Sequence, residues 1–214
     1  MQENYLKVEK TARYTTLGQC TNSLEKVVYL FHGYGQLATS FIEEFSYFDD
    51  GTKYFIAPEG LSRFYLSGKK GKVGASWMTS EHREQEICDY LAYLDDVYAQ
   101  ECKRLSEKNF KTILLGYSQG VATVCRWLDR NLQLKADRLI LWGGEIPPEL
   151  TLWRIRAHYP ELEVYLVAGT KDPFIQFDLL NKQEKRLETA QIHYKKIRFD
   201  GKHELHPPTL QRLL

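Results

Sequence analysis

The sequence predicts an α/β fold: a three-layer α/β/α domain with a mostly parallel sheet and antiparallel strands at the N-terminus. Three observations carry this. From residue 26 onward, short apolar runs suited to strands buried on both faces alternate with helical periodicity. Each run stops at a turn rich in glycine, proline or polar residues, and no repeat or low-complexity segment interrupts the series. The 214 residues, 43% hydrophobic and 27% charged, can fill one substantial core, so we expect a single domain over 1–214.

The elements follow in order. In Tyr5–Gly18, Leu6 and Val8 alternate with Lys7 and Glu9, and Tyr14-Thr15-Thr16 favours strand, which predicts a pair of antiparallel edge strands. KVVYLF (26–31) is a buried strand that breaks at His32-Gly33-Tyr34-Gly35. Phe41, Phe45 and Phe48 recur on one face of a helix. KYFIA (53–57) is the next strand. Glu59–Thr79 reads as a long irregular stretch with a glycine- and lysine-rich centre, and stretches of that length inside a domain tend to be functional. Ser80 reads as the N-cap of an amphipathic helix over 80–106.

KTILLGYSQG (111–120) then gives strand, tight turn and helix around Gly116-Tyr117-Ser118-Gln119-Gly120. A G-x-S-x-G in that setting is a nucleophile elbow, whose glycines relieve the steric crowding of a sharp, strained turn. RLILW (138–142), EVYLVA (163–168) and HYKKIRF (193–199) are the remaining strands, with helices over 174–189 and at the C-terminus, and no insertion long enough for a lid after 138–142.

Composition excludes several classes. The net charge of +1 offers no field for nucleic acid. No run is long enough for a transmembrane helix, and the N-terminus has no basic-then-apolar leader, so no stable membrane association is expected and the expected location is cytoplasmic. Cys20, Cys88, Cys102 and Cys125 have neither metal nor redox spacing and read as reduced thiols; no metal or cofactor is expected.

In parallel sheets, chemistry collects at the carboxyl ends of strands. His32-Gly33-Tyr34, Ser118, Asp172 and His203 each follow such an end. A serine nucleophile needs a base, and the base needs an orienting group. Of six histidines, His82 and His158 sit in polar helical surroundings, and His193 opens a strand. His32 can serve to hold the loop after its strand. His203, just past the last strand, is favoured as base over His206, which leads into a helix. Asp172 is the preferred acid, with Asp178 and Asp200 as alternatives. The chain order Ser118, Asp172, His203 is that of α/β hydrolases. The N–H groups of Gln119 and Tyr34 are the candidate oxyanion donors.

Six segments, LFHGYG (30–35), APEG (57–60), LLGYSQG (114–120), LWGGEIP (141–147), VAGTKDPF (167–174) and FDGKHE (199–204), together resemble the phospholipase/carboxylesterase group of α/β hydrolases, relatives of the acyl-protein thioesterases. The resemblance implies hydrolysis of a small-molecule ester or thioester through an acyl-enzyme, without a cofactor. It carries the nucleophile onto Ser118, the acid onto Asp172, the base onto His203 and the oxyanion donors onto Tyr34 and Gln119. The chain departs from the group's pattern at Tyr34, Val121 and Pro173-Phe174. Trp77, Met78 and Phe174, with Phe64 and Tyr65, are candidates to wall an acyl pocket, the alternative being core or loop packing. Lys69, Lys70 and Lys72 read as a solvated run. A non-catalytic binding protein on the same scaffold and a serine peptidase are the competing readings.

Overall fold

Alternation along the central strands builds two cores from one sheet. In the computed structural model, which describes residues 2–68, 70–105, 109–175 and 177–214, the strands are β1 (Tyr14–Gly18), β2 (Lys26–Phe31), β3 (Lys53–Pro58), β4 (Ser62–Tyr65), β5 (Val73–Ser76), β6 (Lys111–Tyr117), β7 (Arg138–Trp142), β8 (Glu163–Gly169) and β9 (Tyr194–Phe199). The helices are α1 (Ala38–Glu43), α2 (Arg83–Arg104), α3 (Gln119–Arg130), α4 (Leu152–His158), α5 (Phe177–Thr189) and α6 (Pro207–Leu213). Seven strands form a sheet in the order β1-β3-β2-β6-β7-β8-β9. All neighbours are parallel except β1, which runs antiparallel to β3 from Tyr14 opposite Pro58 to Gly18 opposite Tyr54.

Successive side chains of a strand point to opposite faces. Val27, Tyr29 and Phe31 of β2 join Leu114, Leu139, Leu141, Val164 and Leu166 on one face, beneath buried residues of α2, α3, α4 and α5. Val28 and Leu30 join Phe55, Ile113, Leu115, Ile140 and Val167 on the other, beneath Phe41, Phe45, Phe48, Leu210 and Leu213. Phe41, Phe45 and Phe48 are buried as the periodicity predicts, although α1 ends at Glu43 and Phe48 lies in a separate 3-10 turn.

Three local expectations are corrected. The alternation at Leu6 and Val8 builds no strand: both side chains are exposed, so the alternation has no apolar face to bury. Only β1 supplies the antiparallel N-terminal pairing. The stretch 59–79 is not irregular throughout. It contains the β4–β5 hairpin, Ser62 opposite Ser76 and Tyr65 opposite Val73, and β5 is held from its other side by Gly35 N–H to Ala75 O and Ala75 N–H to Gln36 O. Helix α2 starts at Arg83 rather than at a Ser80 cap. His82, the residue before it, has a left-handed backbone with φ 47°, which leaves Ser80 too far out to cap. Ser106, at the end of the predicted helix, and Lys69 of the lysine run lie outside the described residues.

Candidate active site

Ser118 joins β6 to α3 with φ 53° and ψ −117°, a conformation L-residues rarely adopt. Its flanking glycines have measurable reasons. A Cβ on Gly116 would stand 2.6 Å from Gly120 O, and one on Gly120 would stand 2.0 Å from Phe31 O. Neither position can carry a side chain while α3 packs this close to the ends of β6 and β2.

Asp172 follows β8 and His203 follows β9, 31 residues apart in sequence. His203 Nδ1 lies 2.7 Å from Asp172 Oδ2, and the carboxylate side chain is 1% exposed. Asp172 Oδ1 accepts the N–H groups of Phe174 (2.8 Å) and Ile175 (3.2 Å), so the carboxylate is fixed before it meets the histidine. Tyr117 donates its hydroxyl to His203 O at 2.8 Å and lays its ring 5.0 Å from the imidazole, while the Phe174 ring meets the imidazole edge-on at 4.8 Å.

Gly143 and Gly144, after β7, connect this pair to the serine. A Cβ on Gly143 would be 3.1 Å from His203 Cε1 and 3.4 Å from Asp172 Oδ2. A Cβ on Gly144 would be 2.2 Å from Ser118 O. Consecutive Cα atoms are only about 3.8 Å apart, so the Asp172–His203 pair and the Ser118 backbone lie against neighbouring residues of one peptide. Ser118 N–H is itself held by Trp142 O at 2.8 Å. The sequence offered these glycines as a strand stop and as part of LWGGEIP; their closeness to both partners is tertiary.

The loop after β2 lies beside the serine: a Cβ on Gly33 would be 3.2 Å from Ser118 Cβ. Gly33 N–H is bonded to the Gln36 side chain (2.8 Å) and Gly35 N–H to Ala75 O (2.8 Å). The Tyr34 side chain is exposed, with its ring 5.1 Å from Phe64. The Gln119 side chain is a clamp: Oε1 accepts Trp77 N–H at 3.2 Å, and Nε2 donates to Met78 O at 2.9 Å.

The structure separates the candidate pocket residues. Trp77 is 1% exposed and packs among His32, Phe31 and Tyr90, so it is core. Met78 is half-buried with its sulfur 3.7 Å from Arg126 Nη1, and Phe174 is exposed beside His203. Phe64 and the exposed Tyr65 lie on β4. Among the other histidines, His206 stacks on Phe199 and bonds to Thr209, while His82, His158 and His193 are exposed. Asp200 pairs with Lys171, and Asp178 is exposed on α5. A groove of about 530 Å³ between α4 and α5, lined in part by Leu150, Trp153, Lys182 and Lys185, contains none of the residues around Ser118. No group of three or more metal-ligating side chains is found among the described residues.

Sheet order, crossover helices and the placing of these residues at strand ends define an α/β-hydrolase fold. The model of the phospholipase/carboxylesterase family matches residues 19–214, and the chain belongs to that family of hydrolases. It is similar in fold to a carboxylesterase from Bacillus cereus (14% identity, 94% of this chain and 91% of that chain, TM-score 0.68). It is similar likewise to a phospholipase/carboxylesterase from Dyadobacter fermentans (18%, 97% and 96%, TM-score 0.68) and to acyl-protein thioesterase 2 of Zea mays (16%, 95% and 96%, TM-score 0.68). The family implies a small-molecule substrate, and no helix among the described residues is long and apolar enough to cross a membrane.

Proposed function

We propose that this chain is a serine hydrolase that cleaves short- to medium-chain carboxylic esters or thioesters through an acyl-enzyme on Ser118. The observation that supports it most is the 2.7 Å bond from Asp172 to His203, set across Gly143-Gly144 from a serine in a strained turn. Asp172 accepts the Nδ1 proton of His203, which leaves Nε2 as the base. Ser118 attacks the carbonyl carbon as His203 takes its proton. The oxyanion is held by the N–H groups of Tyr34 and of Gln119, the latter at the start of α3 where the helix dipole favours negative charge. His203 then protonates the leaving alcohol or thiol, and water repeats the sequence on the acyl-enzyme. Phe174 beside His203 and the Tyr34–Phe64 pair on the oxyanion side are the apolar surfaces offered to the substrate, with the half-buried Met78, held by Gln119, as a further one. Residues 1–214 act as one domain with one site. Cys88, Cys102 and Cys125 as thiols suit a reducing cytoplasm.

The test is hydrolysis of p-nitrophenyl esters from acetate to octanoate, with fluorophosphonate labelling alongside. Wild type should turn over and label, and Ser118→Ala should do neither. His203→Ala should lose several orders of magnitude in kcat, on the order of 10⁴ or more. His206→Ala should stay close to wild type. A wild type that neither turns over nor labels would return the chain to the binding-protein reading.

A further inference from the structure

Building on the hydrolase reading, we propose that His32 is a positioning residue. As a neutral imidazole protonated on Nδ1, it fixes the Gly33–Tyr34 peptide so that the Tyr34 N–H faces the carbonyl under attack at Ser118. His32 is fully buried at the end of β2. Its Nε2 lies 3.0 Å from Gly60 N, a backbone amide that can only donate. Nε2 therefore holds the lone pair, and the ring proton sits on Nδ1. Nδ1 lies 2.8 Å from Gly33 O, a group that can only accept. The two contacts demand the same tautomer, and the other tautomer would break both. A doubly protonated ring would set Nε2–H against Gly60 N–H. Burial lowers the His32 pKa from the ordinary histidine value, against the opposing pull of the Gly33 carbonyl and the Glu59 carboxylate.

The consequence runs through one rigid unit. In a trans peptide, C=O and N–H are coplanar and point opposite ways, and none of the described peptides is cis. Gly33 O accepts from His32 Nδ1 and also from Gln36 N–H at 3.2 Å. With the carbonyl held by two donors, the direction of the Tyr34 N–H is set. The neighbouring amides of Gly33 and Gly35 are already committed to Gln36 and Ala75.

Trp77 makes the arrangement a shared frame. Its ring stacks on His32 at 4.9 Å with 28° between planes, and its Nε1–H donates to His32 O at 2.9 Å. Its backbone N–H donates to the Gln119 side chain, on the residue whose own N–H is the second donor. One tryptophan thus ties together the residues that place both donors. It works from inside the core, without touching the substrate.

The test compares His32→Ala and His32→Asn, because asparagine keeps an amide donor near the place of Nδ1 while alanine does not. For p-nitrophenyl butyrate, His32→Ala should lose about 10²-fold in kcat, the scale of one lost oxyanion donor, with KM within about threefold. His32→Asn should recover at least tenfold of that loss. Long-range ¹H–¹⁵N correlation on wild type at pH 7 should find His32 protonated at Nδ1 only. This readout survives even if both variants fold poorly. A proton on Nε2, an unchanged kcat in His32→Ala, or equal losses in the two variants would each overturn the role. A wild type without turnover or labelling would instead sink the hydrolase reading, while the spectrum would still decide the tautomer.

Discussion

At the scale of single residues, the site is built as much from missing side chains as from reactive ones. Gly143 has φ +58°, and a Cβ there would press on His203 Cε1 and approach Asp172. Gly143→Ala should therefore cost about 1–2 kcal/mol in stability from the left-handed backbone. It should also lower kcat by an order of magnitude or more, because the imidazole must move. Urea unfolding and ester kinetics on the same preparation check both, and a variant with wild-type kcat would mean that the ring has slack the distances do not suggest. The positions of Ser118, Asp172 and His203 just past strand ends were legible in the sequence, because each follows a predicted strand that stops at a turn. The role of Trp77 was not. A tryptophan in a loop reads the same whether it lines a pocket or stacks on a buried histidine, and only the neighbours brought by β2 and α2 separate the two. The clamp made by the Gln119 side chain was equally invisible, since its partners Trp77 and Met78 lie more than 40 residues away.

At the scale of elements, the inner strands β2, β3, β6, β7 and β8 were legible because a strand buried on both faces must be a largely continuous apolar run. The β4–β5 hairpin was not. Its strands have four residues each, they surround a polar glycine-lysine turn, and much of what holds them is tertiary. A Cβ on Gly74 would come within 2.3 Å of Gly35 O, so the hairpin and the loop after β2 are packed backbone to backbone. Glu59, just past β3, secures the assembly from beneath. Its carboxylate, 1% exposed, accepts from Arg13 before β1 (2.8 and 2.9 Å), from Arg63 on β4 (2.7 Å) and from the Ala38 N–H that opens α1 (3.1 Å). Burial would raise the Glu59 pKa, but these donors outweigh it and the value is lowered. Glu59→Gln keeps the shape and removes the charge. It should cost on the order of 2 kcal/mol, as expected for charge-assisted bonds lost at a buried acceptor. Amide exchange at Gly35 and Ala75 should quicken, measured by NMR, and an unchanged urea midpoint would show that the arginines contribute nothing net.

At the scale of the whole molecule, the titrating groups define a window of stability. Burial lowers the folded pKa of His32 from 6.5. That of Glu149 falls from 4.5 to about 2: burial opposes the change, but bonds from its own N–H, Arg83 and Arg126 win. For both groups the unfolded chain binds a proton that the folded chain refuses, so stability falls as pH drops below about 6.5 and again below about 4.5. Tyr14, raised from 10.0 to about 12 by burial and by its bond to Glu101, and Tyr159, raised to about 12 by burial, act the other way. The unfolded chain loses those protons first, so stability also falls as pH rises past about 10. Urea midpoints should be level between about pH 7 and 9 and decline on both sides, and a maximum below pH 6 would contradict the assignment. The sheet order carries a further consequence. Ser118 leaves β6, at the middle of seven strands, whereas His203 leaves β9, which has β8 as its one neighbour in the sheet and exposes half of its residues. Edge segments open at lower free energy than central ones. Warming should thus detach His203 while Ser118 still stands in an intact core, so hydrolysis would fall silent before the chain melts.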